Sequence, residues 1–580
     1  MQTRTLSWRR LAPVAAATLS GAGAAHAGLP LTALAATGTD GPLGPGLGAG
    51  NTYASIFTAS VDASGNIVFA ASLAGPGVAG STNSAIGFGD IGGVGILVRE
   101  GVATTSAGRF FGDFERPNVA GGRVGIAGFS TAAGGAAPLR QSRWVWPGAG
   151  TPLFAAEQGV TPAPGGPAGA LFDQLLSPVL MSRATGATQV FRATMTGGAV
   201  TTANDGGIWA GSVTGGFSLA AREGDAAPGA GGAVFDTLGS VTVSPGGQIA
   251  HSAFLTGTGV DSTNNRGLWA GAPGATSLVA RLGDAAPGMP AGASFLTLPD
   301  SANLRSGPVV VFEGATTGGG VTSADNEGIW VGGPGALTLL VREGDQAPGV
   351  PAGVQWSGFL AFPNIPQINS AGDIALLTNL KGAGVTTGND GAIYFGDAGG
   401  LSLVAREGDA VGVVNNATFT ILQPIVLNEA GQIVFGGFMA GPGISTSNDS
   451  AIFAWDETNG LTLVAREGET VDLGGGDTRT IVFSILLADS TLLGGTANGL
   501  GDDGTVALVC SVSPTAQVVV AATLPTVGDP ADLTGDGVVD GADLGLLLGA
   551  WGPCAGCPAD LTGDGVVDGA DLGLLLGAWG

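Results

Sequence analysis

A motif of seven residues, Leu-Val-Ala-Arg-Glu-Gly-Asp at 403–409, recurs along most of this chain of 580 residues. Close copies contain Arg99, Arg222, Arg281, Arg342 and Arg466, and from the second of these onward the copies lie 59 to 64 residues apart. A decayed copy, Leu-Phe-Ala-Ala-Glu-Gln-Gly at 153–159, fills the wider first gap. A fixed period of this length is typical of repeat architectures, in which each unit buries its apolar surface against its neighbours.

Each unit presents short apolar runs and turns in the same order. A turn and strand such as 244–251 or 428–435 come first, followed by a Gly-Val loop that ends in Asn or Asp. A strand with an aromatic residue, the Leu-Val-Ala-Arg strand and a Gly-Asp-x-x-Pro-Gly turn complete the unit. Four short strands per unit are typical of one blade of a β-propeller. Closing the blades into a ring would remove the exposed strand edges.

The number of blades is predicted from the turns that open the units. Eight such turns occur, at Gly65, Gly122, Gly186, Gly247, Gly307, Gly372, Gly431 and Gly504. The sequence therefore predicts a mainly β fold with an eight-bladed propeller, with seven blades or an open solenoid as the alternatives. Residues 31–56 resemble the second half of a unit, and residues 501–524 resemble a shortened first half with a last strand. We therefore expect strands from both ends of the array to close the ring.

The repeated pattern can be written N-x-x-G-x-hydrophobic-x-F, then G-hydrophobic-W, then L-V-A-R-x-G-D-x-A-P-G. Over about residues 30–520 it resembles secreted tandem-repeat proteins of unassigned function. The resemblance implies a propeller-like fold and brings no catalytic residues with it.

The first 27 residues have the features of a signal peptide. Arg4, Arg9 and Arg10 precede an apolar run at 11–19, and Ala-His-Ala at 25–27 is a small-x-small cleavage pattern. No later apolar stretch reaches the roughly 18–20 uncharged residues of a membrane span. The net charge of −25 disfavours binding to nucleic acids or anionic membranes, which need basic patches. We expect a secreted, extracellular protein associated with the cell surface, without a nucleic-acid partner or a membrane span.

The composition of the chain changes near residue 525. We predict a propeller at 28–524, a linker at 525–529 marked by Pro525, and a separate module at 530–580. The module is a duplication, since residues 530–552 and 558–580 are identical over 23 positions.

Each copy of the module contains a twelve-residue loop with oxygen-bearing residues at positions 1, 3, 5, 9 and 12 and a backbone carbonyl available at position 7. The candidate ligands are Asp532, Thr534, Asp536, Val538, Asp540 and Asp543 in the first copy and Asp560, Thr562, Asp564, Val566, Asp568 and Asp571 in the second. Calcium takes six to eight hard oxygen ligands, and carboxylates gathered without a cation repel one another. The sequence therefore predicts two bound Ca²⁺ ions, and acidic turns that bind nothing are the alternative.

The apolar run Leu544–Trp551 after the first loop, and its twin after the second, predict one short helix per loop, packed on each other. The pattern Asp-x-Thr-x-Asp-Gly-x-Val-Asp-x-x-Asp followed by one helix, present twice over residues 529–580, resembles type I dockerins. The resemblance implies calcium-dependent folding and docking onto a cohesin-type or other cell-surface or matrix receptor, usually in polysaccharide degradation. Thr at position 3 and Gly-Ala at positions 10 and 11 depart from the usual pattern, so a cohesin and another surface component both stay open as receptors.

The chain has three cysteines. Cys554 and Cys557 lie between the two copies, and the exported context favours a small disulfide. A thioredoxin-like redox role would need a βαβ setting, and a zinc site would need two further ligands. Cys510 lies in an apolar strand and is predicted to be a buried small hydrophobe.

Few residues of the repeats are suited to catalysis. Once the signal peptide is removed, His251 is the single histidine, and its register matches Phe69 and Phe435, so we predict a core position and no Ser-His-Asp triad. The repeated Arg-Glu pairs are predicted to tie strands together, and the repeated tryptophans to fill the blades. A ring of tryptophans lining a sugar-binding channel is the alternative for the latter.

These observations lead to two functional hypotheses. The first is a secreted, non-enzymatic recognition propeller for a carbohydrate or protein ligand, attached through the calcium module, with no catalytic residues assigned. The competing hypothesis is a polysaccharide lyase or glycoside hydrolase, because paired-carboxylate chemistry needs only Asp and Glu. It predicts polar residues that converge on one blade without counterparts in the others, with Asp113, Glu115 and Glu313 as candidates.

Overall fold

The computed structural model describes residues 28–39, 43–76, 78–80, 82–106, 108–115, 117–132, 139–176, 180–181, 188–305, 307–359, 365–486, 498–525, 531–534, 539–554, 557–562 and 565–579. The predicted signal peptide at 1–27 and residues 526–529 of the predicted linker lie outside these ranges.

The chain forms eight antiparallel sheets, the blades, in which strands that follow each other in sequence are neighbours. Strand β1 (Thr32–Ala36) precedes them. Blade 1 contains β2 (Thr52–Val61), β3 (Ile67–Ala74), β4 (Ser84–Asp90) and β5 (Gly93–Arg99). Blade 2 contains β6 (Arg109–Phe114), β7 (Asn118–Ala120), β8 (Arg123–Ala132), β9 (Arg140–Trp146) and β10 (Leu153–Glu157). Blade 3 contains β11 (Leu171–Leu175), β12 (Leu180–Met181), β13 (Gln189–Thr196), β14 (Gly206–Ser212) and β15 (Gly216–Arg222).

The second half of the array repeats this order. Blade 4 contains β16 (Val234–Val243), β17 (Ile249–Thr256), β18 (Arg266–Ala272) and β19 (Ala275–Arg281). Blade 5 contains β20 (Ala293–Thr297), β21 (Asn303–Leu304), β22 (Val310–Gly318), β23 (Glu327–Gly332) and β24 (Thr338–Arg342). Blade 6 contains β25 (Val354–Ser357), β26 (Gln367–Ile368), β27 (Ile374–Gly382), β28 (Gly391–Asp397) and β29 (Gly400–Arg406). Blade 7 contains β30 (Thr418–Leu427), β31 (Ile433–Ala440), β32 (Ser450–Asp456) and β33 (Gly460–Arg466). Blade 8 contains β34 (Thr470–Asp472), β35 (Thr478–Leu486), β36 (Thr505–Val512) and β37 (Ala516–Thr523).

Strands from both ends of the array complete blade 8. Strand β1 pairs antiparallel with β37, with Thr32 opposite Ala521, and takes the outer position that the Leu-Val-Ala-Arg strand takes in other blades. The prediction of an eight-bladed propeller closed by both termini is therefore confirmed, and the seven-bladed and open alternatives are wrong. Closure leaves no blade at an open end of the array.

Successive blades are joined by hydrogen bonds near the turn between their first and second strands. The donors and acceptors are Gly122 N to Asp62 Oδ2 (2.7 Å), Thr242 Oγ1 to Ala302 O (3.0 Å), Asn369 Nδ2 to Asn428 O (3.2 Å) and Asn428 Nδ2 to Gly501 O (2.9 Å). Asn428 also accepts the backbone N–H of Gln432 within its own turn. The Asn and Asp that open the units therefore shape a turn and link two blades at once.

In blades 2 to 7 the third strand places an aromatic residue in the blade core. Trp209, Trp269 and Trp330 are fully buried, and their Nε1–H groups donate to the backbone oxygens of Pro164, Pro228 and Pro287, each at 2.9 Å. These prolines belong to the turns that precede the same blades. The third strand therefore holds the entry turn of its blade, and these tryptophans do not line a channel.

The repeated Arg-Glu pairs are structural, as predicted. The arginines Arg281, Arg342, Arg406 and Arg466 donate from Nε to the backbone oxygens of Asn264, Asp325, Asn389 and Asn448, at 2.7 to 3.0 Å. Glu223 accepts the backbone N–H groups of Gly206 (2.9 Å) in its own blade and Leu238 (3.2 Å) in the next. These four arginines thus tie fourth strands to a preceding loop, and Glu223 ties its strand to a loop and to the following blade.

The C-terminal copies each form one helix, α1 (Gly541–Gly549) and α2 (Gly569–Gly577). The helices pack on each other around Leu547 and Leu575, which are fully buried. Each begins three residues before the predicted apolar run, because Asp540 and Asp568 cap the free N–H groups of the first turn. In the described part of the chain, no helix has the length and apolar character needed to cross a membrane.

Two short strands, β38 (Gly552–Pro553) and β39 (Val566–Val567), pair between the copies. The segment after β38 contains the predicted disulfide, Cys554–Cys557. Cys510 is fully buried in β36, as expected, and burial raises the pKa of its thiol to about 11.

Candidate functional site

Nine of the twelve predicted calcium ligands lie in the described part of the C-terminal loops. They are Asp532, Thr534, Asp540 and Asp543 in the first loop and Asp560, Thr562, Val566, Asp568 and Asp571 in the second. Asp536, Val538 and Asp564 lie outside the described residues.

The carboxylate at position 12 closes each loop. Asp543 is fully buried; its Oδ1 accepts the backbone N–H of Thr534 at 2.9 Å and its Oδ2 that of Asp540 at 2.8 Å. The hydrogen bond from Asp540 is the main cause that holds the pKa of Asp543 below its usual range. Positions 3, 9 and 12 of the loop are therefore brought together around one carboxylate.

The second loop repeats this geometry. Asp571 accepts the backbone N–H groups of Thr562 and Asp568, both at 2.8 Å. Burial raises the pKa of Asp571, but these hydrogen bonds outweigh it, and the net pKa is lowered. At position 1, Asp560 accepts the hydroxyl of Thr562 (3.4 Å) and the backbone N–H of Gly565 (2.8 Å).

The donor set of both loops fits calcium, since it consists of carboxylate, hydroxyl and backbone oxygens within twelve residues. Within the described ranges, which omit Asp536 and Asp564, no three Asp, Glu, His or Cys side chains form a group that could hold a metal ion.

Both C-terminal helices leave apolar side chains in solvent. Leu546 and Trp551 are each 50% exposed, and their twins Leu574 and Trp579 are 45% and 47% exposed. The same residues are therefore exposed in both copies, on a module whose buried core is small.

A polar cleft of about 470 Å³ lies between blades 3 and 4. Its lining includes Arg192, Asp205, Glu223, Asp236 and Thr237. Arg192 crosses from blade 3 to blade 4, where its Nη2–H donates to the backbone oxygen of Leu238 at 2.6 Å. The pKa of Glu223 is raised, mainly because the carboxyl group is buried and also because the negative charge of Asp205 lies nearby.

Arg192 distinguishes this cleft from the other blade interfaces. Arg192 lies in the second strand of blade 3, directly after the residue that is paired with the aromatic of the third strand. The equivalent position in the other blades with intact repeats is occupied by Ala70, Ala127, Ser252, Glu313, Leu377 and Gly436. Glu223, in contrast, belongs to the repeated Arg-Glu pairs. The cleft therefore combines a blade-specific cation with a shared structural carboxylate.

A second polar seam joins blades 4 and 5 through Asp300. Its carboxylate accepts hydrogen bonds from the hydroxyls of Ser240 (2.7 Å) and Ser252 (3.0 Å) and from Nη2 of Arg266 (3.1 Å). This seam could not be predicted from the repeats, because periodicity does not reveal which side chains of adjacent blades meet.

The histidine next to Ser252 does not belong to that seam. The ring of His251 is 1% exposed and stacks on Trp269, with 5.7 Å between ring centroids. Burial lowers its pKa to about 4. Because neighbouring residues of a strand face opposite sides, Ser252 and His251 cannot act as a catalytic pair with Asp300. The predicted core position of His251 is confirmed.

The three carboxylates considered for catalysis do not converge. Asp113 and Glu115 belong to blade 2, where Glu115 lies 3.7 Å from the buried Arg143. Glu313 lies in blade 5, with two blades between. Its Oε2 is buried without a hydrogen-bond partner, and burial together with the charge of Glu327 raises its pKa to about 8.

Solved structures similar to this chain are β-propellers and enzymes, at low identity. The β-propeller domain of the Trilobed protease from Pyrococcus furiosus is 9% identical, with a TM-score of 0.35, over 71% of this chain and 95% of that one. The Dos1 propeller is 9% identical, with a TM-score of 0.35, over 85% and 95%. Puromycin hydrolase is 12% identical, with a TM-score of 0.31, over 84% of this chain and 62% of its own. Likenesses this distant say nothing about activity.

No curated protein matches the chain. A protein-family model matches twice, at residues 17–273 and 247–513, and these matches together cover the propeller array except its last strand, β37. The two overlapping matches reflect the internal repetition of the blades. The chain belongs to the family of unknown function DUF7453.

Proposed function

We propose that this protein is an exported, non-enzymatic recognition propeller, held at the cell surface or in an extracellular complex by its calcium-binding C-terminal module. Its ligand would be a carbohydrate or another protein. The receptor for the module would be a cohesin-type or other surface component, as the resemblance to type I dockerins implies.

The main support for the attachment role is the carboxylate at position 12 of each C-terminal loop. Asp543 and Asp571 are buried, and each draws positions 3 and 9 of its loop to one carboxylate with the same two hydrogen bonds. A bound calcium ion would neutralise the acids of each loop and add ligand bonds to this frame. The exposed Leu546, Trp551 and their twins supply apolar surface for a receptor.

A recognition role for the propeller is supported by the contacts of its repeated polar residues and by the polar cleft between blades 3 and 4. The repeated Arg and Glu side chains are engaged in ties between strands and blades, and the histidine is buried. The blade 3–4 cleft combines guanidinium, carboxylate and hydroxyl groups, which suit a ligand rich in hydrogen-bonding groups.

Retention of the full-length protein on the cell envelope of its own organism tests this proposal. At about 1 mM calcium, within the range of extracellular modules, we expect retention that a chelator abolishes. The variant Asp543→Asn with Asp571→Asn should lose it. A propeller variant with the same change in charge, Asp90→Asn with Asp397→Asn, should keep it. Retention that ignores both the chelator and the tail variant would contradict the proposal.

A second candidate function, a glycoside hydrolase or polysaccharide lyase, is favoured by Glu313. A buried carboxyl with a pKa of about 8 beside a second carboxylate, Glu327, has the property of a general acid at neutral pH. If this candidate holds, the purified protein cleaves a polysaccharide and Glu313→Gln abolishes the cleavage while Glu115→Gln does not. Equal cleavage by wild type and Glu313→Gln would exclude this residue as the acid.

A further inference from the structure

The two C-terminal loops are identical in sequence, and the segment that joins the copies lies against the second. The segment that joins the copies runs beside the second loop, where Gly552 is opposite Val567 and Pro553 is opposite Val566 in the β38–β39 pair. The backbone N–H of Cys554 then donates to the carbonyl oxygen of Gly565 at 2.9 Å. Positions 6, 7 and 8 of the second loop are therefore bonded to the joining segment.

The other end of this segment reaches the start of the same loop. The backbone N–H of Asp560, at position 1, donates to the carbonyl oxygen of Cys557 at 3.0 Å. Cys557 in turn donates from its backbone to Cys554 O at 3.1 Å, and the two side chains form a disulfide. The cross-linked turn thus bonds to the loop at its first and sixth positions, and the two residues before the turn pair with the seventh and eighth.

The first loop is preceded by a different sequence. Residues 526–529 are Thr-Val-Gly-Asp, and no cysteine lies within the first copy or directly before it. The third cysteine of the chain is Cys510, which is buried in the propeller. The disulfide therefore distinguishes two loops that are otherwise chemically the same.

We infer that the Cys554–Cys557 disulfide braces the second loop, so that the two identical loops bind calcium with unequal affinity and the second binds more tightly. The inference rests on the proposed calcium binding. Its physical reason is preorganisation: a loop held near its bound conformation loses less conformational freedom when the ion enters. Groups that support metal ligands without touching the metal typically change metal affinity by roughly tenfold or more.

Calorimetric titration of full-length variants with one loop inactivated measures each loop separately. Asp532→Asn with Asp543→Asn leaves only the second loop, and Asp560→Asn with Asp571→Asn leaves only the first. We expect the second loop to bind calcium roughly tenfold more tightly than the first. Adding Cys554→Ser and Cys557→Ser to each should weaken the second loop to the level of the first and leave the first unchanged. Cys510→Ala is the matched control and should change neither.

The outcomes separate this inference from the function on which it rests. Equal affinities of the two loops with the disulfide intact, or a second loop that ignores its removal, would overturn the brace while calcium binding stands. No binding by either loop would overturn both. An unchanged unfolding midpoint of the propeller in every variant of the C-terminal module establishes that those substitutions act locally.

Discussion

The propeller and the C-terminal module are both built from repeated units, yet they differ in which residues the repeats share. The eight blades share an order of strands and a few tying residues, while most other positions vary from blade to blade. The two C-terminal copies are identical over 23 residues. In the propeller, the residues that recur are those that hold blades together, whereas in the module the recurring residues include every predicted ligand.

This contrast indicates where function is to be sought in each region. Propeller residues such as Arg192, Asp300 and Glu313 do not belong to the repeated Arg-Glu ties, and their contacts are specific to their own blades. In the module no residue of one copy is special, so any difference between the loops must come from their surroundings. Four substitutions, taken from the largest expected effect to the smallest, test this division between shared and blade-specific residues.

The first concerns a shared core residue. Trp330→Ala should destabilise the propeller by about 4 kcal/mol, because it removes a fully buried indole that stacks on Phe312 and bonds to Pro287. Chemical denaturation monitored by circular dichroism measures the loss. Trp551→Ala in the module, where the indole is half exposed, should leave the propeller transition unchanged. A loss of less than 1 kcal/mol for Trp330→Ala would break the assignment of shared aromatics to the core.

The second exchanges a blade-specific residue for the type found in sibling blades. The pKa of His251 is about 4 in the folded protein, against about 6.5 when unfolded, so the unfolded chain binds the additional proton between these values. Stability therefore falls as the pH drops from 6.5 to 4. His251→Phe should remove this pH-dependent loss of stability and raise the free energy of unfolding by on the order of 2 kcal/mol relative to wild type at pH 5. The gain should shrink at pH 7.5, and a gain independent of pH would instead indicate better packing alone.

The third concerns Glu313, whose pKa is about 8 in the folded protein and near 4.5 when unfolded. Here the folded state binds the additional proton, so stability falls as the pH rises from 4.5 to 8. Glu313→Gln should stabilise the protein at pH 8.5, where wild type must bury a charged carboxylate, and have little effect at pH 4. Thermal unfolding across this range measures the difference, with the exposed Glu115→Gln as the control. Equal stability of the Glu313→Gln variant and wild type at pH 8.5 would place the carboxylate in solvent.

The smallest effect is expected at the seam between blades 4 and 5. Asp300→Asn keeps the size of the side chain but weakens its hydrogen bonds from Ser240, Ser252 and Arg266. Because the side chain of Asp300 is 60% exposed, we expect a cost of only about 0.5 kcal/mol at pH 7, measured by urea denaturation. A cost several times larger would make this blade-specific seam as important as the shared ties.

Most of the fold follows from residues that recur. The glycine turns predict the number of blades, and the Arg-Glu pairs predict contacts that tie strands together. The partial unit at residues 31–56 predicts the strand that closes blade 8. These predictions succeed because each depends on the register within one blade. The burial of His251 follows for the same reason, since its strand position is that of Phe435.

Contacts across the blade interfaces could not be predicted in this way. The pairing of Arg192 with Leu238 and of Asp300 with Ser252 depends on the twist and spacing of neighbouring sheets, which one unit of sequence does not encode. Helix α1 begins at Gly541, before the apolar run that predicts it, because the side chain of Asp540 caps its first turn. The calcium ligands stay a prediction, supported by the loop closure at Asp543 and Asp571.

Counting the calcium ions bound to the full-length protein by native mass spectrometry tests the central claim most directly. We predict two ions per chain, reduced to one by either Asp543→Asn or Asp571→Asn and to none by both. A protein that binds no calcium at about 1 mM, the weak end of the range for extracellular modules, would contradict it. The duplicated loops would then be acidic turns, and the proposed attachment of the propeller would fall with them.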